Sequence, residues 1–196
     1  MDISLEQLEE IADLSTDKLR LLYLPHINTT LKKYSINSIC CVSSFLSQIL
    51  HESMYFKYTE ELASGKAYEY RKDLGNLEPE ALAIAHKHGS TTGRFFHGFG
   101  LLQITGYYNI VKVSKALEID CVNNPKLLKE PLYATLSAGW FFDAHNCKPF
   151  AEVDNNKAVT KIINGGYNGL DERMRIYNKA KSILTRTNNE NRISNS

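Results

Sequence analysis

A mainly helical chain with a small glycine-rich β region is the fold class this sequence predicts, on three observations. Apolar residues recur at helical spacing at both ends of the chain, five of the eleven glycines crowd into residues 89–106, and no repeat or low-complexity linker divides the sequence. Leu5, Leu8, Ile11 and Ala12 mark a first helix, with Leu19, Leu22 and Tyr23 continuing after a break near Ser15. Val42, Phe45, Leu46, Ile49 and Leu50 form a stripe at i, i+3, i+4, i+7 and i+8, which predicts an amphipathic helix over about 38–53. Residues 80–85 read as helix. A helix over about 131–145 starts with Pro131 in its first turn and offers Trp140, Phe141 and Phe142 to the core. Asp154 is placed to N-cap a helix over 155–163 that ends at Asn164-Gly165-Gly166, and a last helix runs over about 170–186. Between them, Leu101-Leu102-Gln103-Ile104-Thr105 alternates and predicts a short strand with Gln103 and Thr105 on one face. Residues 1–187 read as a single domain, with such a β region a natural wall for a cleft. Residues 188–196 read as a disordered tail.

Composition narrows the function classes. Apolar residues make up 43% and charged residues 23% of 196, the balance of a globular protein that needs no metal or disulfide to fold. A net charge of +1 argues against nucleic acid as a partner. It hides an asymmetry: residues 1–21 hold six acids and two bases, whereas residues 157–196 hold eight bases and three acids. Solvated helix faces and a polyanion-binding surface both fit that pattern. No apolar run reaches the ~18–20 residues of a membrane span. The acidic, amphipathic start is unlike a secretion signal, so synthesis in the cytoplasm is expected. Cys40, Cys41, Cys121 and Cys147 lack any CxxC spacing and read as reduced thiols. His86, His88 and His97 are the metal candidates, but the first two are spaced for a strand inside a helical stretch, so no metal is expected.

Glu52 is the most informative polar residue. It lies three after Ile49 and seven after Phe45, at the C-terminal end of an apolar stripe. Partial burial and the negative helix end both favour a protonated carboxyl, as a general acid requires. If the helix ends earlier, Glu52 is an ordinary solvated acid. Glu60, Glu61 and Glu69 are candidates for a second carboxyl, with Glu60 the best surface acid among them. Glu52 and Glu61 are nine apart and point to opposite sides of a continuous helix, so they face each other only if the helix stops near Met54 and the chain turns back. Carboxyls about 6.5–9.5 Å apart suit an inverting glycosidase and about 5–5.5 Å a retaining one. Gln103 and Thr105 offer an amide and a hydroxyl to a water or sugar, or are plain strand-edge polarity. Arg173 and Arg175 read by default as surface bases.

The segment from Phe45 through Leu46-Ser47-Gln48-Ile49-Leu50-His51-Glu52 to Ser53 resembles the first catalytic motif of glycoside hydrolase family 19, which contains chitinases and many phage endolysins. Residues 67–76 (Ala67 to Asn76) resemble a stretch of the endolysin-like branch. Residues 94–106, with Gly98-Phe99-Gly100 and Gln103-Ile104-Thr105, resemble the glycine-rich strand motif. Asn124-Pro125, Ser137 to Phe141, and residues 159–170 with Arg173 follow in order, so the resemblance covers about residues 5–186. It implies a lysozyme-like fold (mainly α within α+β), an inverting mechanism, and no cofactor or metal. It implies that Glu52 is the general acid and Glu61 the general base, with Glu69 the runner-up, and that Thr105 helps hold the attacking water. His51, Gln103, Tyr108, Asn164 and Arg173 are implied to bind substrate or support the acids.

The chain departs from the family pattern at Phe99, where an arginine is usual, at Met54-Tyr55, where small residues are frequent, and over 77–93, which is longer and more helical. The expected activity is cleavage of β-1,4 bonds between amino sugars, with peptidoglycan the first substrate and chitin the alternative. The expected enzyme is a monomer acting on the cell wall after release, as an endolysin does. A secreted antibacterial effector of the same fold, or an inactive glycan-binding protein, are the other readings.

Overall fold

The structure is a computed structural model that describes residues 1–13 and 18–194, so the break expected near Ser15 and the side chain of Leu19 lie outside the described residues. Its helices in chain order are α1 (Leu5–Ala12), α2 (Lys18–Lys33), α3 (Ile39–Glu52), α4 (Pro79–Lys87), α5 (Thr92–Phe95), α6 (Tyr107–Leu117), α7 (Pro131–Ala144), α8 (Cys147–Glu152), α9 (Asn156–Asn164) and α10 (Leu170–Ser194). Mainly helical is therefore correct. The last helix extends through most of the segment expected to be a tail. The chain divides into two compact units, residues 1–57 with 141–196, and residues 58–140.

The first unit is built on α3. Ser38 caps its first turn by accepting from the Cys41 amide, and every residue from Cys41 to Leu50 is buried. Val42, Phe45, Leu46, Ile49 and Leu50 are fully buried, each contributing about 1.5–3 kcal/mol. Phe45 meets Phe142 edge to face, with ring centroids 5.6 Å apart. Trp140 and Phe141, expected in the core with Phe142, are half-buried. The most extensive packing here is between α3 and α10. The acidic start of the chain is matched to its basic end: α1 packs on α10, Arg186 reaches Glu10 at 2.6 Å, and Lys179 pairs with Asp13. The charge asymmetry is thus in part internal complementarity.

One correction concerns local geometry. Asn155, not Asp154, caps α9, its side chain accepting from the Ala158 amide. Asp154 adopts a left-handed φ of 65° and turns its carboxylate to Tyr177 and Lys181 instead. Those partners hold the Asp154 carboxyl below its usual range, the Lys181 contact first. The end of α3 agrees with the expectation: the helix stops at Glu52. Met54, Tyr55 and Phe56 follow with φ of 47°, 58° and 69°. Such a run of non-glycine left-handed residues is costly. It is held by Ser53 Oγ, which donates to Ile49 O at 2.6 Å and accepts from Phe56 N at 2.8 Å, and by the stack of buried Phe56 on Tyr23.

In the second unit, α4 begins with Pro79 in its first turn, as such helices favour. Buried Asn76 ties the loop to α6: it donates to Tyr68 O at 2.7 Å and accepts from Tyr107 N at 3.1 Å. The expected strand over 101–105 is absent. β-structure among the described residues is confined to two antiparallel bridges, Glu60 with Phe99 and Phe99 with Ile104. Phe99 and Ile104 exchange both backbone hydrogen bonds, and residues 100–103 between them form a turn. Gly100 (φ 84°) and Gln103 (φ 52°) supply the positive φ that turn requires. Gly100 also lies so close to Ser137 Oγ that a Cβ would sit 2.7 Å from it.

Candidate active site

Glu52 ends α3, and its environment comes from α3, α9 and α10 of the first unit. Ser44, Gln48 and Glu52 are spaced i, i+4, i+8 and form a polar row along α3. Asn156 and Thr160 of α9 answer it. Ser44 Oγ donates to Asn156 Oδ1 at 2.7 Å, and Gln48 Nε2 donates to Thr160 Oγ1 at 3.1 Å. Gln48 Oε1 then accepts from Arg173 Nη1 at 2.5 Å, and Arg173 Nη2 donates to Glu52 Oε1. Arg173 is only 1% exposed, whereas the Glu52 side chain is 22% exposed. The guanidinium is thus a buried fixture with one face on the row and one on a carboxyl that reaches the surface. Arg173, by default a surface base, is corrected to a core residue. Its desolvated charge requires both partners.

His51 lies beside this row. Its Nδ1 is 2.8 Å from Glu172 Oε2, while Glu172 Oε1 accepts from Tyr55 OH at 3.1 Å. The His51 ring lies against Gly169, where a Cβ would sit 2.2 Å from ring atoms. Arg175 stays exposed and donates to Tyr55 OH at 2.9 Å. Asn164 closes α9, with Gly165 as its left-handed C-cap, and its Oδ1 accepts from Asn168 N at 3.3 Å.

Glu61 belongs to the second unit and is held differently. Its amide donates to Gly98 O at 2.9 Å, its Oε2 accepts from Gly98 N at 3.1 Å, and its Oε1 accepts from Tyr68 OH at 3.0 Å. Burial, then the Glu61 carboxylate, pushes the Tyr68 hydroxyl above its usual range, so it stays a donor. A Cβ on Gly98 would sit 2.7 Å from Gln103 Oε1 and 3.2 Å from Glu61 Cβ. Glycine at 98 is what lets Gln103 approach Glu61. Gln103 Nε2 donates to Gly100 O at 3.0 Å, but its buried Oε1 has no partner among the described residues, an acceptor available to a ligand. Thr105 Oγ1 donates to Gln103 O at 2.8 Å. The turn, rather than a strand face, brings Gln103 and Thr105 together.

The other candidates lie elsewhere in the second unit. Glu69 accepts from Thr91 Oγ1 at 2.8 Å and lines a pocket of about 360 Å³ with Leu77, Leu82 and His86. Tyr108 bonds to Glu78, packs on Gly75 and lines a pocket of about 460 Å³ with Tyr107. Glu60, expected to be a plain surface acid, is partly buried between His97 and Lys129. Burial raises the Glu60 pKa, but Lys129 and His97 outweigh it and hold the carboxyl below its usual range. Phe99, in place of the usual arginine, is 1% exposed and packs on His97 with centroids 4.4 Å apart. His86 and His97 are thus engaged in different surroundings. Gln48, Asn156, Thr160 and Tyr68 escaped the sequence reading. The matched polar spacing of 44, 48, 52 and of 156, 160, 164 was the available signal.

No protein-family model matches the chain. It is 32% identical over 123 residues to a glycosyl hydrolase family 19 domain-containing protein of Haemophilus influenzae, covering 62% of this chain and 59% of that protein. It is 29% identical over 126 residues to an endochitinase of Arabidopsis thaliana, covering 64% and 39%. The chain thus spans less than two thirds of the length of these relatives. Its fold is that of chitinase C from Streptomyces griseus (TM-score 0.70, 16% identity, 93% of this chain and 76% of that one). It is also that of a class IV chitinase from Zea mays (TM-score 0.71, 15% identity, 93% and 92%). Over these stretches the chain is similar in sequence to a family 19 glycosyl hydrolase and to plant endochitinases, and its fold is that of chitinases.

Proposed function

We propose that the protein is a peptidoglycan hydrolase of the endolysin type, cleaving β-1,4 bonds between amino sugars with inversion. The observation that carries the hydrolase reading is the Arg173 guanidinium, buried and bonded to Gln48 on one side and to Glu52 on the other. A core that invests a desolvated arginine in fixing one surface-reaching carboxyl is built for chemistry at that carboxyl. Glu52 is assigned the proton donated to the leaving oxygen. Glu61, an acceptor-only carboxylate gripped by Tyr68 and Gly98, is assigned removal of a proton from the attacking water. Thr105 and the open Gln103 Oε1 are assigned to that water or to a sugar amide. An inverting mechanism assigns the acid and the base to opposite faces of the sugar. Synthesis in the cytoplasm and action on the wall complete the reading.

Peptidoglycan is favoured by the resemblance of residues 67–76 to the endolysin-like branch. Chitin is the second reading, favoured by relatives and structural neighbours that are chitinases. Mass spectrometry of digests decides between them. Muropeptides with a new reducing end support the proposal, whereas chitooligosaccharides from chitin and intact peptidoglycan overturn the substrate assignment.

A further inference from the structure

Glu60 is bridged to Phe99, and Glu61 to Gly98. Successive residues of extended backbone point to opposite faces. Glu61 and Gly98 face Tyr68 and Gln103, while Glu60, His97 and Phe99 line a different cavity of about 680 Å³, wholly within the second unit. That volume is in the range of about 300–1,000 Å³ usual for ligand pockets. The proposed reaction uses none of its walls.

The cavity is unbalanced in charge. Glu60 is its one acidic lining residue, and Lys129 and His97 already engage it. The His97 Nδ1 donates to Arg94 O at 2.6 Å, so the ring is oriented by backbone on one side and by Glu60 on the other. Two cations of this wall, Lys126 and Arg94, are not engaged by Glu60. Lys126 is exposed with no ion-pair partner among the described residues. Arg94 is 58% exposed and only 4.0 Å contact with Glu69 occupies its Nε. The remaining wall includes Asn124 and the ring of Phe95, stacked on His88 at 4.8 Å. Unmatched cations favour an anion over a neutral polymer, because Arg and Lys gain most from charged acceptors. An aromatic face and an amide suit a sugar or peptide body over a bare ion.

We propose that this cavity is a second ligand site, taking a carboxylate-bearing amino-sugar peptide such as a peptidoglycan fragment. The proposal rests on the peptidoglycan reading above and gives it a point of discrimination, since chitin carries no carboxylate. The test is an NMR titration of the full chain carrying Glu52→Gln, or Glu61→Gln should the first fold poorly. The probes are a soluble disaccharide-tetrapeptide, N-acetylmuramic acid, chitotetraose and inorganic phosphate. The disaccharide-tetrapeptide is expected to shift the amides of Arg94, Asn124 and Lys126, and Arg94→Ala or Lys126→Ala to weaken that binding about tenfold. N-acetylmuramic acid shifting the same amides as strongly assigns the carboxylate to the sugar, and shifts with the disaccharide-tetrapeptide but not with N-acetylmuramic acid assign it to the stem; either supports the site. Unmoved pocket amides, equal shifts with chitotetraose, or phosphate binding as tightly as the fragment overturn it. Digestion by the wild-type protein is scored separately. Muropeptide release with a silent pocket overturns the pocket alone, and a filled pocket without muropeptides overturns the function alone.

Discussion

Glu52 closes a 14-residue helix and takes its partner from Arg173, 121 positions away, through a row of buried side chains. Glu61 stands on a loop and takes its partners from Tyr68 and Gly98, 7 and 37 positions away, one of them a backbone amide. The first carboxyl is positioned by packing, so its geometry is as firm as the core of its unit. The second is positioned by a turn and one hydroxyl, so its geometry depends on glycine and local chain shape. The lesson is that two acids proposed for one reaction need not be secured by the same physics, and that their supports fail in different ways.

That contrast can be broken at its root by neutralising the acids themselves. Glu52→Gln is expected to cut kcat by about 10³-fold or more and, by taking the charged partner from buried Arg173, to lower the melting temperature as well; near-full activity would end its assignment as the acid. Arg173→Ala tests the packed side. It leaves Gln48 Oε1 and Glu52 without their donor, and should destabilise the fold by about 3–5 kcal/mol in denaturant melts. A loss under 1 kcal/mol would mean the row does not bear on the core. Tyr68→Phe tests the loop side. It is expected to lower kcat about tenfold while stability moves by no more than about 1 kcal/mol. Comparable losses of stability in the two variants would erase the distinction.

The smallest effect is a pH dependence. The carboxyls of Glu60 and Asp154 have folded pKa values held below their unfolded ones. Their contribution is present above the unfolded carboxylate range of about 4 and is lost as pH falls through the depressed values. Lys129→Met is therefore expected to lower the melting temperature slightly at pH 7 and leave it unchanged in strong acid, which flattens the acid limb of the melting temperature against pH.

Much of the fold was legible in the sequence. The stripe from Val42 to Leu50 gave α3 nearly to the residue, because one face of a helix at the centre of its unit carries a strong 3.6-residue period. Asn164-Gly165 marked the end of α9, because a left-handed cap favours glycine. The 101–105 segment was misread because alternation over five residues describes a short strand and a tight turn equally well. Burial of Arg173 was not legible, since it depends on Gln48 and Glu52 arriving from a distant helix. Glu52 was a candidate from its place on the α3 stripe and Glu61 one of three possible second acids, with roles assigned by motif resemblance, but the means by which each is held came only with tertiary structure. Asp154 and Asn155 are both good caps, and nothing local decides between them; Lys181 and Tyr177 draw Asp154 away.

The left-handed run after α3 carries a consequence for redesign. Met54 is exposed, makes its turn at φ 47°, and carries a conformational penalty on the order of 1 kcal/mol that its side chain does little to offset. The usual rule that glycine loosens a fold is inverted there. A glycine would relax the elbow, and the energy now stored in it becomes a reserve that an engineer can release without touching either acid.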